Sequence, residues 1–146
     1  MGFLGTAVAQ LCELGGARVT PVLRDDVPEG EFERVIEAAG TQSALDTASR
    51  LVAAGGRLVL AGFHQDGPRT IDLQSWNWRG LDVVNAHERE PRTAVDGIRE
   101  AVRLAASGEL DVTSLVTHTF SLDELDAAFA AAARREAGFV KAVVCP

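Results

Sequence analysis

The chain is short of the residues that build metal centres and disulfide frameworks. Its 146 residues contain two cysteines, Cys12 and Cys145, far apart and outside any C-x-x-C or Cys/His cluster. That pattern excludes a zinc-finger scaffold and a disulfide-stapled one, and two free thiols in a reducing cytoplasm are the expected state. Positive charge is also scarce. With 14 Lys and Arg against 21 Asp and Glu, the net charge is −7, and no nucleic-acid partner is expected, because phosphate backbones require clustered basic side chains. No run approaches the roughly 18 consecutive apolar residues of a membrane helix, and the first residues lack the basic start of a signal peptide. No membrane partner and a cytoplasmic location are the expectations. There is no Ser/Gly/Pro-rich linker and no repeat, while 47% hydrophobic and 24% charged residues fit a globular domain. One domain over residues 1–146 is the economical assignment.

What the chain does contain is glycine at element boundaries. Met1-Gly2-Phe3-Leu4-Gly5 runs straight into a helical pattern from Thr6 to Leu14, with Ala7, Val8, Leu11 and Leu14 on one face and Gly15-Gly16 as its stop. Gly2 and Gly5 fit the second and third glycines of a G-x-G-x-x-G turn, in which the second lets backbone approach a pyrophosphate and the third lets helix pack on strand. The strand and first glycine that should precede them are absent. Short strands are predicted for Ala17 to Leu23 and Arg34 to Ala38, the second ended by Gly40. A helix follows from Thr41 to Ala54 with Gly55-Gly56 as its stop, then a buried-type strand from Arg57 to Ala61 closed by Gly62.

Further on, an irregular segment with Gly67-Pro68 and Trp76-Asn77-Trp78 leads to a strand from Leu81 to Asn85. Pro91 starts a helix carried by Val95, Ile98, Val102 and Ala105 to Gly108. Val116 to Phe120 is extended, Ser121 and Glu124 form a capping-box signature for a helix through Leu122, Leu125 and Phe129, and Val140 to Val144 is a last strand. Strands alternating with helices give an α/β class, a Rossmann-like doubly wound parallel sheet.

The order of Gly2 and Gly5 before a helix, Gly16-Ala17-Arg18-Val19, Glu37-Ala38-Ala39-Gly40-Thr41 and Gly55-Gly56-Arg57-Leu58-Val59-Leu60-Ala61-Gly62 resembles the medium-chain dehydrogenase/reductases of the zinc-dependent alcohol dehydrogenase type. The resemblance covers nearly the whole chain but only the cofactor half of that family, whose barrel-like catalytic domain precedes it. It implies an N-terminally truncated, partial dinucleotide-binding domain with the catalytic domain absent. A methyltransferase-like Rossmann domain fits less well, because the Gly40-Thr41 and Gly62 motifs follow dehydrogenase order.

The resemblance implies a set of cofactor contacts. The amides around Phe3, Leu4 and Gly5, after Gly2, would face the pyrophosphate at a helix N-terminus. The acidic ribose-binding position of NAD-preferring members falls on Leu23, which cannot accept hydrogen bonds, while the neighbouring Arg24 suits a 2′-phosphate. NADP is therefore preferred to NAD, although Asp25 and Asp26 beside Arg24 offer a ribose contact of their own. Gly40, Thr41, Gly62, Phe63 and His64 would lie beside the nicotinamide, with Asn85, Ala86 and His87 approaching the ring and Lys141 offering a cation to the pyrophosphate. His64 reads either as a proton relay or as a loop histidine that moves no proton. Trp76 and Trp78 read as packing on one strand or turn face, with a stacking platform for bases or sugars and, from the resemblance, a subunit contact as the alternatives, and Asp25, Asp26, Glu29, Glu31 and Glu33 read as a solvated acidic run. No catalytic residue and no metal ligand is expected on this chain. The family's zinc would belong to the missing domain.

Besides the missing catalytic domain, two departures from the family follow. The ten residues between Leu23 and Arg34 are too few for a helix and third strand, so strand 3 is missing and strand 2 becomes an edge that tolerates Pro21. Without strand 1, strand 2 either pairs with the Arg34 to Ala38 strand or leaves a gap, and the isolated chain should be poorly stable or associate, a homo-oligomer being one form of this. The expected function is the cofactor-binding part of an NAD(P)-dependent oxidoreductase that transfers hydride between a nicotinamide cofactor and an alcohol or polyol, or its carbonyl. The chain alone should be inactive. The alternatives are a zinc-free quinone or enoyl reductase of the same superfamily, and a non-catalytic standalone Rossmann-like binding module.

Overall fold

Alternation of helix-period and strand-period segments yields, in a computed structural model describing residues 1–146, the order α1 (Phe3–Leu14), β1 (Phe32–Glu37), α2 (Gln42–Leu51), β2 (Val52–Leu60), α3 (Leu73–Arg79), β3 (Asp82–Asn85), α4 (Pro91–Ala106), β4 (Val116–Ser121), α5 (Leu125–Arg134) and β5 (Lys141–Cys145). The chain divides into two compact units, one of residues 1–21 with 95–146 and one of residues 22–94. No composition change marks either boundary. The α/β class with parallel pairing is as expected, but the strands form two separate sheets, β1-β2-β3 and β4-β5.

In the unit of residues 22–94, β1–α2–β2 and β2–α3–β3 are consecutive parallel crossovers. Leu45, Ala48 and Leu51 line one face of α2 at helical spacing and meet Val35, Val52 and Leu58 of the sheet, with Phe32, Leu60, Trp76, Leu81 and Val83 packed around them. Removing this apolar surface from water supplies the unit's main stabilisation. Both ends of α2 are held by polar groups. The Thr41 hydroxyl accepts from the Ala44 amide at 3.3 Å. At the other end, Arg79 donates to the carbonyls of Ser49 at 2.6 Å and Val52 at 2.9 Å, satisfying acceptors that a helix terminus leaves open. The register sets Glu37, Leu60 and Asn85 in one row across the carboxyl edge of the sheet.

In the other unit, α5 connects the parallel strands β4 and β5. The Gln10 side-chain amide pairs with the Asp111 backbone, donating to its carbonyl at 3.0 Å and accepting from its N–H at 2.7 Å. Glu124 closes the capping box at the 3-10 turn Leu122–Glu124, and the Ser121 amide and hydroxyl that donate to it hold its carboxyl below the ordinary value. The buried apolar residues here are Leu110, Leu115 and Ala128, whereas Ile98, Val102 and Phe129 are each more than 60% exposed. No helix is long and apolar enough to cross a membrane.

Three sequence expectations are corrected. Ala17 to Leu23 is not a strand, so it neither forms a sheet edge nor pairs with β1; its last residue makes a single isolated bridge with Asp26. An extended segment is stable as a strand only with a ladder partner, and Pro21 has no N–H to contribute to one. The helix ends at Leu51 rather than Ala54, and Gly55-Gly56 lie inside β2, where the register with β1 shifts. Turning extended at Val52 places that side chain, 0% exposed, in the core. Finally, Trp76-Asn77-Trp78 belongs to α3, capped by Asp72, whose carboxylate accepts from the Ser75 amide at 2.9 Å. Residues two apart on a helix point to nearly opposite faces, so Trp76 packs on the core while Trp78 is 91% exposed.

Candidate functional site

In a parallel sheet every strand ends on the same edge, and loops following those ends converge there. In this protein the convergence is organised around Glu37, the last residue of β1. Its side chain is 1% exposed, and a carboxylate so placed must fill its lone pairs with donors. It does so with three: the Ala39 and Gly40 amides donate to Oε1, both at 2.7 Å, and His64 Nε2 donates to Oε2 at 2.9 Å.

His64 is engaged on both ring nitrogens. Arg69 Nε donates to Nδ1 at 2.9 Å, and because a guanidinium can only donate, Nδ1 is the bare nitrogen and the proton sits on Nε2. Arg69 also donates to the Gly40 carbonyl at 2.8 Å and forms an ion pair with Asp66. That donated bond, with one from the Asp66 backbone, holds the Asp66 carboxyl below its ordinary value. The chain Asp66–Arg69–His64–Glu37 thus binds the loop after β2 to the turn after β1. The outer end of the loop is fixed to α2, where Gln42 accepts from the Thr70 amide at 2.9 Å and donates to its carbonyl at 2.8 Å.

The two turns touch at glycine. Gly40 has φ +72°, and a Cβ there would lie 2.6 Å from the Phe63 carbonyl oxygen. A Cβ on Gly62 would overlap the Gly40 nitrogen and Glu37 Oε2, with Gly40 Cα at 2.8 Å. Only glycine fits both sides. Gly62→Ala is expected to cost about 1–3 kcal/mol, the range for overpacking a close contact. A fall in the urea midpoint with unchanged slope would verify this; an unchanged midpoint would contradict it.

Phe63 projects beyond this contact, 66% exposed, and stacks on His87 with ring centroids 6.0 Å apart and planes inclined by 19°. Asn85 accepts from the His87 amide at 2.9 Å and fixes the turn carrying that ring. Gly40, Thr41, Gly62, Phe63, His64 and Asn85 therefore gather at one sheet edge, the Thr41 hydroxyl being occupied as a helix cap. Arg24 stands apart from them, exposed in the tight turn closed by the Leu23–Asp26 bridge.

The remaining expected residues lie in the other unit. Helix α1 starts at Phe3 with Gly2 as its N-cap, leaving the amides of Phe3, Leu4 and Gly5 without intrahelical acceptors, a concentration of partial positive charge. Lys141 Nζ lies 5.6 Å from the Phe3 ring centroid, which holds a cation near that terminus. These groups suit an anion such as a pyrophosphate. No group of three or more His, Cys, Asp or Glu side chains is placed to hold a metal ion, so the residues of this chain do not fit a zinc centre.

Sequence reading missed Glu37 as the hub, and Arg69 and Asp66 as the groups linked to it through His64. Glu37 carried a legible signal, an acidic residue closing an apolar β-branched strand three positions before a glycine. Arg69 carried none, since it ties His64, Asp66 and Gly67 of its own loop to Gly40, 29 residues away.

Parallel crossovers with glycine turns pressed together at the carboxyl edge define a Rossmann-like α/β protein. The chain belongs to the zinc-binding dehydrogenase family, whose model matches residues 14–138. It is 29% identical over 96 residues to 2-dehydro-3-deoxy-L-galactonate 5-dehydrogenase of Pseudoalteromonas atlantica, covering 66% of this chain and 27% of that one. With L-threonine 3-dehydrogenase of Anaeromyxobacter dehalogenans it shares 29% identity over 125 residues, covering 80% of this chain and 34% of the relative. Among solved structures, one described as a zinc-binding dehydrogenase of Sinorhizobium meliloti bound to NADP superimposes with a TM-score of 0.65 at 28% identity, covering 81% of this chain and 33% of that one. The chain spans about a third of the length of these relatives.

Proposed function

We propose that this chain is the cofactor-binding part of an NAD(P)-dependent oxidoreductase acting on an alcohol or polyol, or on the corresponding carbonyl. The observation that carries the reading is the Gly40–Gly62 contact at the carboxyl edge of a parallel sheet, where α/β proteins of this kind bind their ligands. The NADP bound by the S. meliloti relative supports the choice of cofactor class. On this reading the Phe3, Leu4 and Gly5 amides and Lys141 hold the pyrophosphate. The turns at Gly40–Thr41 and Gly62–His64, with Asn85, orient the nicotinamide, which as the bound group supplies hydride exchange. His64, with both nitrogens engaged, acts as a strut rather than a relay. Zinc, the catalytic residues and the substrate contacts belong to a catalytic domain outside these residues. A cytoplasmic location and self-association through the exposed Ile98, Val102 and Phe129 complete the reading.

Arg24 makes NADP the preferred form, because a guanidinium pairs with a phosphate through paired donors while Leu23 offers a ribose nothing. Fluorescence titration of the purified chain should give tighter binding of NADPH than of NADH, with no hydride transfer to or from alcohols. Arg24→Ala should weaken NADPH by about tenfold, or about 1.4 kcal/mol, and leave NADH unchanged. Tighter binding of NADH by the unaltered chain would overturn the assignment of Arg24, and failure to bind either would overturn the function.

A further inference from the structure

We propose that Arg69 is a positioning residue for the nicotinamide ring, acting through His64 and the Gly40 peptide; the inference rests on the cofactor reading above. The Gly40 peptide is gripped at both ends, its N–H by Glu37 at 2.7 Å and its carbonyl by Arg69 at 2.8 Å. The same guanidinium holds the ring of His64, which follows Phe63 directly, through Nδ1 at 2.9 Å. One side chain therefore sets the spacing between the turn after β1 and the turn after β2, the two backbones assigned to the ring. Its own place is over-determined by Asp66 and by a longer bond to the Gly67 carbonyl at 3.4 Å.

A planar fork with several fixed donors can bridge separate acceptors in one geometry, which a lysine ammonium, a point charge on a flexible stem, cannot reproduce. Its loss frees the Gly40 carbonyl and unlinks His64, while Glu37 still holds the Ala39 and Gly40 amides. The sheet edge then persists, but the seat of the ring loosens, and small displacements of a positioning group have large effects on a bound ring. Arg69 lies in the unit of residues 22–94, and the residues proposed for the pyrophosphate lie outside it. The effect should therefore be confined to the nicotinamide end of the ligand.

The test compares NADP+ with 2′-phospho-ADP-ribose, the same molecule without its nicotinamide, by calorimetry on the 146-residue chain and on Arg69→Met. Arg69→Met should weaken NADP+ by about tenfold and change the ring-less compound by less than about twofold, a factor of ten being about 1.4 kcal/mol. Equal losses for both compounds, or no loss for either, would overturn the positioning role while leaving the cofactor reading standing. An unaltered chain that binds neither compound would overturn both. Arg69→Lys, which keeps the charge and is the substitute if Arg69→Met does not fold, should show the same selective loss. Full NADP+ affinity in Arg69→Lys would overturn the inference, because charge alone would then suffice.

Discussion

Glu37→Ala should destabilise the unit of residues 22–94 by roughly 3 kcal/mol or more, because each buried donor left without an acceptor costs about 1–3 kcal/mol. The substitution deprives the Ala39 and Gly40 amides and His64 Nε2 of their partner at once. Alanine is also too small to fill the space of a side chain 1% exposed, so a void adds to the cost. Glu37→Gln keeps one acceptor oxygen but sets an NH2 group against either the backbone amides or His64 Nε2–H, and its loss should be intermediate. Both tryptophans, Trp76 and Trp78, lie in α3 of this unit, so urea unfolding followed by tryptophan fluorescence reads the effect directly. A Glu37→Ala midpoint equal to that of the unaltered chain would show that solvent replaces the carboxylate at no cost.

Leu58→Ala should cost about 3–5 kcal/mol, the upper range for truncating a leucine at a site that cannot collapse. Leu58 is 0% exposed and sits on the central strand β2, between β1 and β3. Its neighbours in the core are Val35, Leu45, Ala48, Leu51 and Val52, so few other apolar side chains are available to share the loss. Domain stabilities are typically about 5–15 kcal/mol, and a loss of this size would bring the unit close to unfolding at ordinary temperature. Ile98→Ala, at a position 64% exposed, supplies the comparison and should change stability by less than about 0.5 kcal/mol. Equal effects of the two substitutions would mean that Leu58 is not shielded as the structure has it.

Where local chemistry decides, sequence and structure agree. Thr41 caps α2, Ser121 and Glu124 form the capping box, and Gly40 and Gly62 end their strand turns. These features depend on residues a few positions apart, and their physics is contained in that window. Ala17 to Leu23 has strand-like composition, but strand formation needs a partner, which composition does not supply. Gly55-Gly56 reads as a helix stop because glycine ends helices, yet burial of Val52 and Leu58 draws the segment into β2. The Trp76–Trp78 spacing puts both rings on one face of a strand but on nearly opposite faces of a helix, and the packing of Trp76 on the core beside the exposure of Trp78 follows the helix. At the candidate site, the glycine turns were legible. The Asp66–Arg69–His64–Glu37 chain was not, because its members meet across 27 residues between Glu37 and His64 and across 29 between Gly40 and Arg69.

The pairing of Gln10 with Asp111 joins residues 101 positions apart, and that separation orders events during synthesis. Domains fold as units while the chain emerges, and residues 22–94 form a contiguous stretch whose partners are all present once Ala94 has left the ribosome. Helix α1 is made before this stretch, yet its backbone partner at Asp111 is made after it, and the entropy of closing so long a loop is reduced when the intervening stretch has already condensed. Helix α1 thus precedes residues 22–94 in synthesis and gains its Asp111 partner only after them.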